Sequence, residues 1–329
     1  MDRKQTERLA NDTNIDRRGF VASAAGAAIA ATALPLVGNS AFAAPTRKSA
    51  AETAVKELYS SLSKEQRPIV ALPLDDKRRT QINPNWHITK ATIGKFFNAA
   101  QQDLITKIFK GMTSEDGFER FQKQMADDSG GGLKAYSIAL FGDPNDGPFE
   151  FELTGRHHTS RADGNSLEGM AFGGPIVYGH SKKGNTPQNL FSYQTTSANQ
   201  VFEALDAKHR EKALLAKAPG EGSVRLRDDV TQTPGLACSE LSSDQKELVE
   251  STLKNILLPY RKEDVDEVME MIKASGGLDE VRIAFYKNGD LDNDKVWDIW
   301  RLEGPSIVCH FRGAPHVHAY INVAQRKTK

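Results

Sequence analysis

Val281-Arg282-Ile283-Ala284-Phe285-Tyr286, Lys295 to Leu302, Ser306-Ile307-Val308-Cys309-His310-Phe311-Arg312 and His318-Ala319-Tyr320-Ile321-Asn322-Val323 follow one another near the C-terminus. Each is a short run rich in β-branched and aromatic residues, bounded by Gly, Pro, Asn or Asp, which is the pattern of a strand. Spacers this short cannot carry crossover helices, so the four runs predict antiparallel hairpins. A second set stands earlier: Tyr136 to Phe141, Phe149 to His157 and Ala171 to Tyr178.

Helical periodicity precedes each set. Residues 46–66 place Ala50, Ala51, Ala54, Val55, Leu58, Tyr59 and Leu62 on one stripe, and 91–112 do the same through Ile93, Phe96, Phe97, Leu104, Ile108 and Phe109. Ser114-Glu115-Asp116 opens a further helix, which Gly130-Gly131-Gly132 ends. Helices over 198–218, 243–258 and 262–273 precede the last strands. The reading is therefore an α+β fold in which helices pack on a mainly antiparallel sheet. It contains two helix-then-strand cycles in one large domain, 44–329, with possible halves 44–195 and 196–329.

Composition narrows function only by exclusion. The 329 residues hold 43 Lys+Arg against 43 Asp+Glu, and a neutral chain lacks the basic excess of a nucleic-acid binder. Mean hydropathy of −0.51 excludes a multispanning membrane protein.

The N-terminus has the look of an address. Asp16-Arg17-Arg18-Gly19-Phe20-Val21 leads into a small-residue apolar run up to Val37, and Ala41-Phe42-Ala43 supplies a small-x-small cleavage site. This resembles a twin-arginine export signal over residues 1–43. The apolar run is too short, and too interrupted by Pro35, for a transmembrane anchor, so cleavage is expected and no stable membrane span after it. The partner expected is the twin-arginine translocation machinery, and the location periplasmic or extracellular. Cleavage leaves 38 basic against 39 acidic side chains. In an oxidising compartment Cys238 and Cys309 can either pair or stay as buried thiols.

Six of the eight histidines fall in the strand-rich stretches. In a strand, His316, His318, Tyr320 and Asn322 share one face, while Val317, Ala319, Ile321 and Val323 share the other. Two imidazoles can thus reach one metal while the opposite face packs inward. A third ligand comes from Gly155-Arg156-His157-His158-Thr159: continuing the parity of Phe149, Phe151 and Leu153 selects His157 over His158. His180 is the next candidate and His310 the one after, whereas His87 and His209 have no partners in the pattern. Three imidazoles suit copper, iron or zinc. Arg156, Arg312, Tyr320 and Glu303 are the candidates to orient a substrate or move a proton, and Glu303 is also able to complete a facial triad. An isolated histidine is more often a hydrogen-bonded core or surface residue, so the paired spacing carries the metal reading.

Other motifs are weaker. Asp290-Leu291-Asp292-Asn293-Asp294 starts like a calcium loop, but Lys295 and Arg301 stand where Gly and Glu are needed. No nucleophile elbow, P-loop or dinucleotide fingerprint occurs in a credible context.

Leu62-Ser63-Lys64-Glu65-Gln66-Arg67, Phe141-Gly142-Asp143-Pro144, Gly155-Arg156-His157 and Trp300 to Pro305, together with Arg312-Gly313-Ala314-Pro315-His316-Val317-His318, resemble a bacterial secreted family, domain of unknown function 3500. The likeness spans roughly residues 50–325. It implies an exported protein of one family domain and carries no reaction with it. Two functions follow from the residues: a metalloenzyme acting on a small molecule, with redox chemistry slightly ahead of hydrolysis because folded export suits preloaded cofactors, or a noncatalytic periplasmic protein that binds or stores metal.

Overall fold

The computed structural model describes residues 44–227, 230 and 232–325. The leader expected at 1–43 lies outside the described residues. Helices α1 (Ala50–Ser61), α2 (Arg67–Val70), α3 (Ile93–Phe96), α4 (Ala99–Met112) and α5 (Glu115–Ser129) precede or separate strands β1 (Ala71–Leu72), β2 (Ser137–Gly142), β3 (Phe149–Gly155), β4 (His158–Ala162) and β5 (Ile176–Lys183). Then come α6 (Ser192–Glu203), α7 (Ala207–Ala213), β6 (Leu214–Leu215), β7 (Leu236–Ala237), α8 (Ser243–Leu257) and α9 (Lys262–Ala274). Strands β8 (Arg282–Tyr286), β9 (Ile299–Glu303), β10 (Ile307–Arg312) and β11 (His316–Val323) complete the chain.

The fold is α+β, and its strands form one open sheet in the order β1-β2-β3-β4-β5-β11-β10-β9-β8-β6, with β7 pairing beside β8. Only β1–β2 and β6–β8 are parallel. Outward from the β5–β11 pair the order is the same in both directions: four antiparallel strands and a short parallel one at each end. The helices follow suit. Asn98 and Gln101 form a capping box at the start of α4, and Ser242 and Gln245 form the same box at the start of α8.

One face of the sheet meets the helices through Phe149, Phe151, Leu153, Tyr178, Phe311, Val317 and Ile321. The other face is clad by two largely irregular straps, residues 73–90 and 216–227. Ile82 and Leu226 of these straps pack on a patch that contains Val177, Val224, Val308 and Tyr320. Trp86 Nε1 donates to Thr159 Oγ1 at 3.1 Å, and the Ile88 amide donates to Thr154 Oγ1 at 2.9 Å.

Several boundaries differ from the sequence reading. The strand expected from Phe149 to His157 stops at Gly155, turns through Arg156 and His157, and returns as β4. The helix expected over 91–112 breaks at Asn98, whose cap restarts it, and the one expected over 198–218 is two helices separated at the Asp206 N-cap. The strand expected from Lys295 begins only at Ile299. Cys238 and Cys309 are buried and unpaired, and burial pushes both thiols up to about 12.

Gly179 sits where the two halves meet. It pairs with His318, and its amide donates to the His157 carbonyl at 3.0 Å. A Cβ there would overlap the Val317 carbonyl and stand 3.0 Å from the His318 ring. Gly179→Ala is therefore expected to cost about 1–3 kcal/mol through overpacking. An unchanged denaturation midpoint would show that β5 and β11 do not approach this closely.

Candidate metal centre

His157 occupies the second position of the β3–β4 turn with φ of +56°, a left-handed backbone that a non-glycine residue adopts only when its surroundings hold it. They do so on both sides. The His157 amide donates to Pro84 O at 2.5 Å, and the preceding Arg156 carbonyl accepts from Tyr136 Oη at 2.6 Å and Gln124 Nε2 at 3.1 Å. The β10–β11 turn brings up the other two rings, with a cis Ala314–Pro315 peptide just before His316. Strand β11 then places His316 and His318 two residues apart, with a register shift between His316 and Val317.

The three rings form a nearly equilateral cluster. Their centroids are 5.0 Å (His157–His316), 4.9 Å (His157–His318) and 4.8 Å (His316–His318) apart, and one nitrogen from each lies within 4.8 Å of the others. His316 Nε2 and His318 Nε2 are 3.1 Å apart. Two imidazole ligands at zinc bond lengths in a tetrahedron have nitrogens about 3.3 Å apart.

Carboxylates set the tautomers. His157 Nδ1 donates to Asp128 Oδ2 at 2.7 Å, and Asp128 is fixed in turn by Gln124 Nε2 at 2.8 Å and the Ser181 amide at 3.1 Å. His318 Nδ1 donates to Glu221 Oε2 at 3.1 Å. With their Nδ1 protons so engaged, both rings turn an Nε2 lone pair inward. Arg312 flanks the cluster, its guanidinium 3.3 Å from His316 Nε2 and 3.2 Å from Glu221 Oε2.

Burial raises the cost of charge here, and the ion pairs decide where it rests. Burial pushes the Asp128 carboxyl up, but hydrogen bonds from His157, Gln124 and Ser181 outweigh it and hold the group well below the usual carboxylate range. His316 is pushed down to about 4 by burial, His318 and Arg312. Burial also lowers His318, against the pull of Glu221. His316 and His318 are thus neutral imidazoles at pH 7, the form that ligates metals. Three imidazole nitrogens within 4.8 Å of one another, two of them on rings whose Nδ1 is held by a carboxylate, make a donor set that fits a transition metal.

Sequence reasoning named all three histidines, although the parity argument for His157 fails: the residue lies in a turn, beyond the end of its strand. His158, expected on the opposite face, instead packs edge-on against Phe109 and Phe121 in the helix-side core. His180 is not part of the cluster. It shares the helix-side face with Ile176 and Tyr178, with Nε2 3.2 Å from Asp127 Oδ2, while Nδ1 accepts from the Leu190 amide at 3.2 Å. His310 lies on β10 opposite Arg301 and Tyr320. Arg156 reaches outward, 3.4 Å from Ser181 Oγ, so it borders the centre. Tyr320 shares the face of His318 but is buried under the 216–227 strap. Glu303 is two strands away, bound to Arg301 Nε at 2.7 Å and Arg227 Nε at 3.0 Å, and does not join these rings.

Asp128 and Glu221 were missed. Asp127-Asp128 did leave a trace in the sequence, because acidic residues in the last turn of α5 oppose the helix dipole and ask for another purpose.

The chain belongs to the family described as Protein of unknown function (DUF3500), which matches residues 45–325. No curated protein and no solved structure matches it.

The buried His158 gives a pH test of the fold around the site. Burial lowers its pKa to about 3, below the usual 6.5, so between these values the unfolded chain binds the extra proton. Its contribution is complete above pH 6.5 and is lost as pH falls toward 3. His158→Phe is expected to flatten the fall of unfolding free energy between pH 6.5 and 4 by up to about 1.4 kcal/mol per pH unit. Parallel wild-type and variant curves would mean that His158 is not held neutral.

Proposed function

We propose that this chain is an exported metalloenzyme that holds one transition metal on His157, His316 and His318. The observation that carries this is the pair of Nδ1–carboxylate hydrogen bonds, from His157 to Asp128 and from His318 to Glu221, which leaves two Nε2 lone pairs facing His316. Structural histidines need no such pair of carboxylates, whereas metal-ligating ones regularly have them. A three-ligand set with His316 half-exposed supports an open coordination position, and so catalysis over closed storage.

The metal would serve as a Lewis acid or redox centre for a small-molecule substrate. Arg312 sits beside it as a fixed positive charge suited to an anionic group of that substrate, and Arg156 stands at the rim. The 1–43 leader supports delivery in the folded, loaded state through the twin-arginine machinery to the periplasm or beyond. Copper or iron would assign redox chemistry, and zinc hydrolysis.

Elemental analysis of the mature protein should find about one equivalent of one transition metal, and less than about one-tenth of an equivalent after reconstitution would refute the proposal. His316→Ala and His318→Ala should each abolish binding. Asp128→Asn should keep the fold, read by circular dichroism, while weakening metal affinity about 10- to 100-fold.

A further inference from the structure

A second concavity opens on the strap-covered face at the β6–β8–β9 end of the sheet. It has a volume of about 260 Å³ and, among the described residues, is lined by Lys217, Arg227, Arg282 and Arg301 against one carboxylate, Glu303. Its walls are otherwise apolar and include Leu215, Pro234 and Tyr286.

Among the described residues two of these arginines keep an unpartnered N–H group. Arg301 is 4 % exposed. Its Nε donates to Glu303 and one Nη donates to Ser223 O at 2.7 Å, but the other, Nη1, is buried with no partner among the described residues. Arg282 anchors Gly235 O through Nη2 at 2.8 Å, yet its Nε is likewise buried without a partner. Buried guanidinium N–H groups without acceptors are costly, and two from neighbouring strands at one cavity call for an external acceptor. Arg282 pairs with Glu303 and Ala284 with Arg301 across β8 and β9, so the two side chains converge from adjacent strands.

We infer that this cavity is a binding site for a small organic carboxylate, whose charge meets the Arg301 and Arg282 guanidinium groups that line it while its apolar body lies against Leu215, Pro234 and Tyr286. Guanidinium N–H groups make strong charge-assisted hydrogen bonds to carboxylates, and an inorganic oxyanion would leave the apolar walls unused. The volume admits a ligand of about a dozen non-hydrogen atoms, at the small end of ligand cavities. The site is separate from the histidine cluster and requires no metal.

Benzoate is a suitable probe, titrated calorimetrically into the whole mature protein, with benzamide as its uncharged counterpart and inorganic phosphate as the anion without a body. Benzoate should bind at least about tenfold more tightly than either, and chelator treatment should leave its affinity unchanged. Arg301→Lys should weaken it about tenfold or more; because Arg301 is buried, Arg227→Gln at the half-exposed rim provides a second variant, expected to weaken binding with the melting temperature unchanged. Benzamide binding as well as benzoate, phosphate equalling it, or unaltered affinity in both variants would overturn the assignment. So would loss of binding on chelation, which would place benzoate at the metal.

Discussion

The close approach of β5 to β11 at Gly179 is the constraint on which the rest of the structure depends. Among the described residues it is the one ladder that joins the named strands of one half to those of the other, and it puts the β3–β4 turn against the start of β11. His157 comes from the first half, His316 and His318 from the second. Without a side chain at Gly179, the His157 carbonyl reaches the Gly179 amide and its ring reaches His318. The centre therefore exists only where the two halves meet, and a metal bound there would fasten them together.

Holding three imidazoles together costs desolvation, and the surroundings offset it with anions that are themselves anchored. Asp128 is fixed by Gln124 and the Ser181 amide, and Glu221 is shared between His318 and Arg312. One carboxylate arrives from the end of α5 on the helix side, the other from the strap on the opposite side. Between the two anions and Arg312 the Nε2 atoms of His316 and His318 stand 3.1 Å apart, at a place where burial and the neighbouring charges disfavour imidazolium.

How much of this was legible in the sequence follows from what each signal reports. Alternation reports faces, so His316 and His318 were placed together correctly and Val317 and Ile321 inward. Alternation fails at a turn, and the two central residues of the β3–β4 turn are neither Gly nor Asn: Arg156-His157 reads as more strand, so β4 went unseen and His157 was reached by the wrong argument. Gly304-Pro305, which does announce a turn, was read without difficulty. The order of strands is not written in local pattern at all, which is why Glu303 was a reasonable companion to the histidines until the register set it two strands away. Asp128 and Glu221 lie 29 and 97 residues from the rings they hold, beyond the reach of any spacing rule.

The polar face of the sheet is buried, against its own pattern. Strand positions such as Glu150, Glu152, Arg161, Arg301 and His310 alternate with apolar ones and look solvent-facing, yet all are buried. An antiparallel sheet with helices on one side usually leaves the other wet. Here two straps with little regular structure cover it, and a strap has few backbone partners of its own to satisfy. The buried charges provide them. Arg161 donates to Arg79 O at 2.6 Å in one strap, while Arg301 donates to Ser223 O and Asn322 to Val224 O in the other. The charged alternation therefore serves attachment more than solubility, and Glu221, at the end of one such attachment, is brought to His318 by the same means.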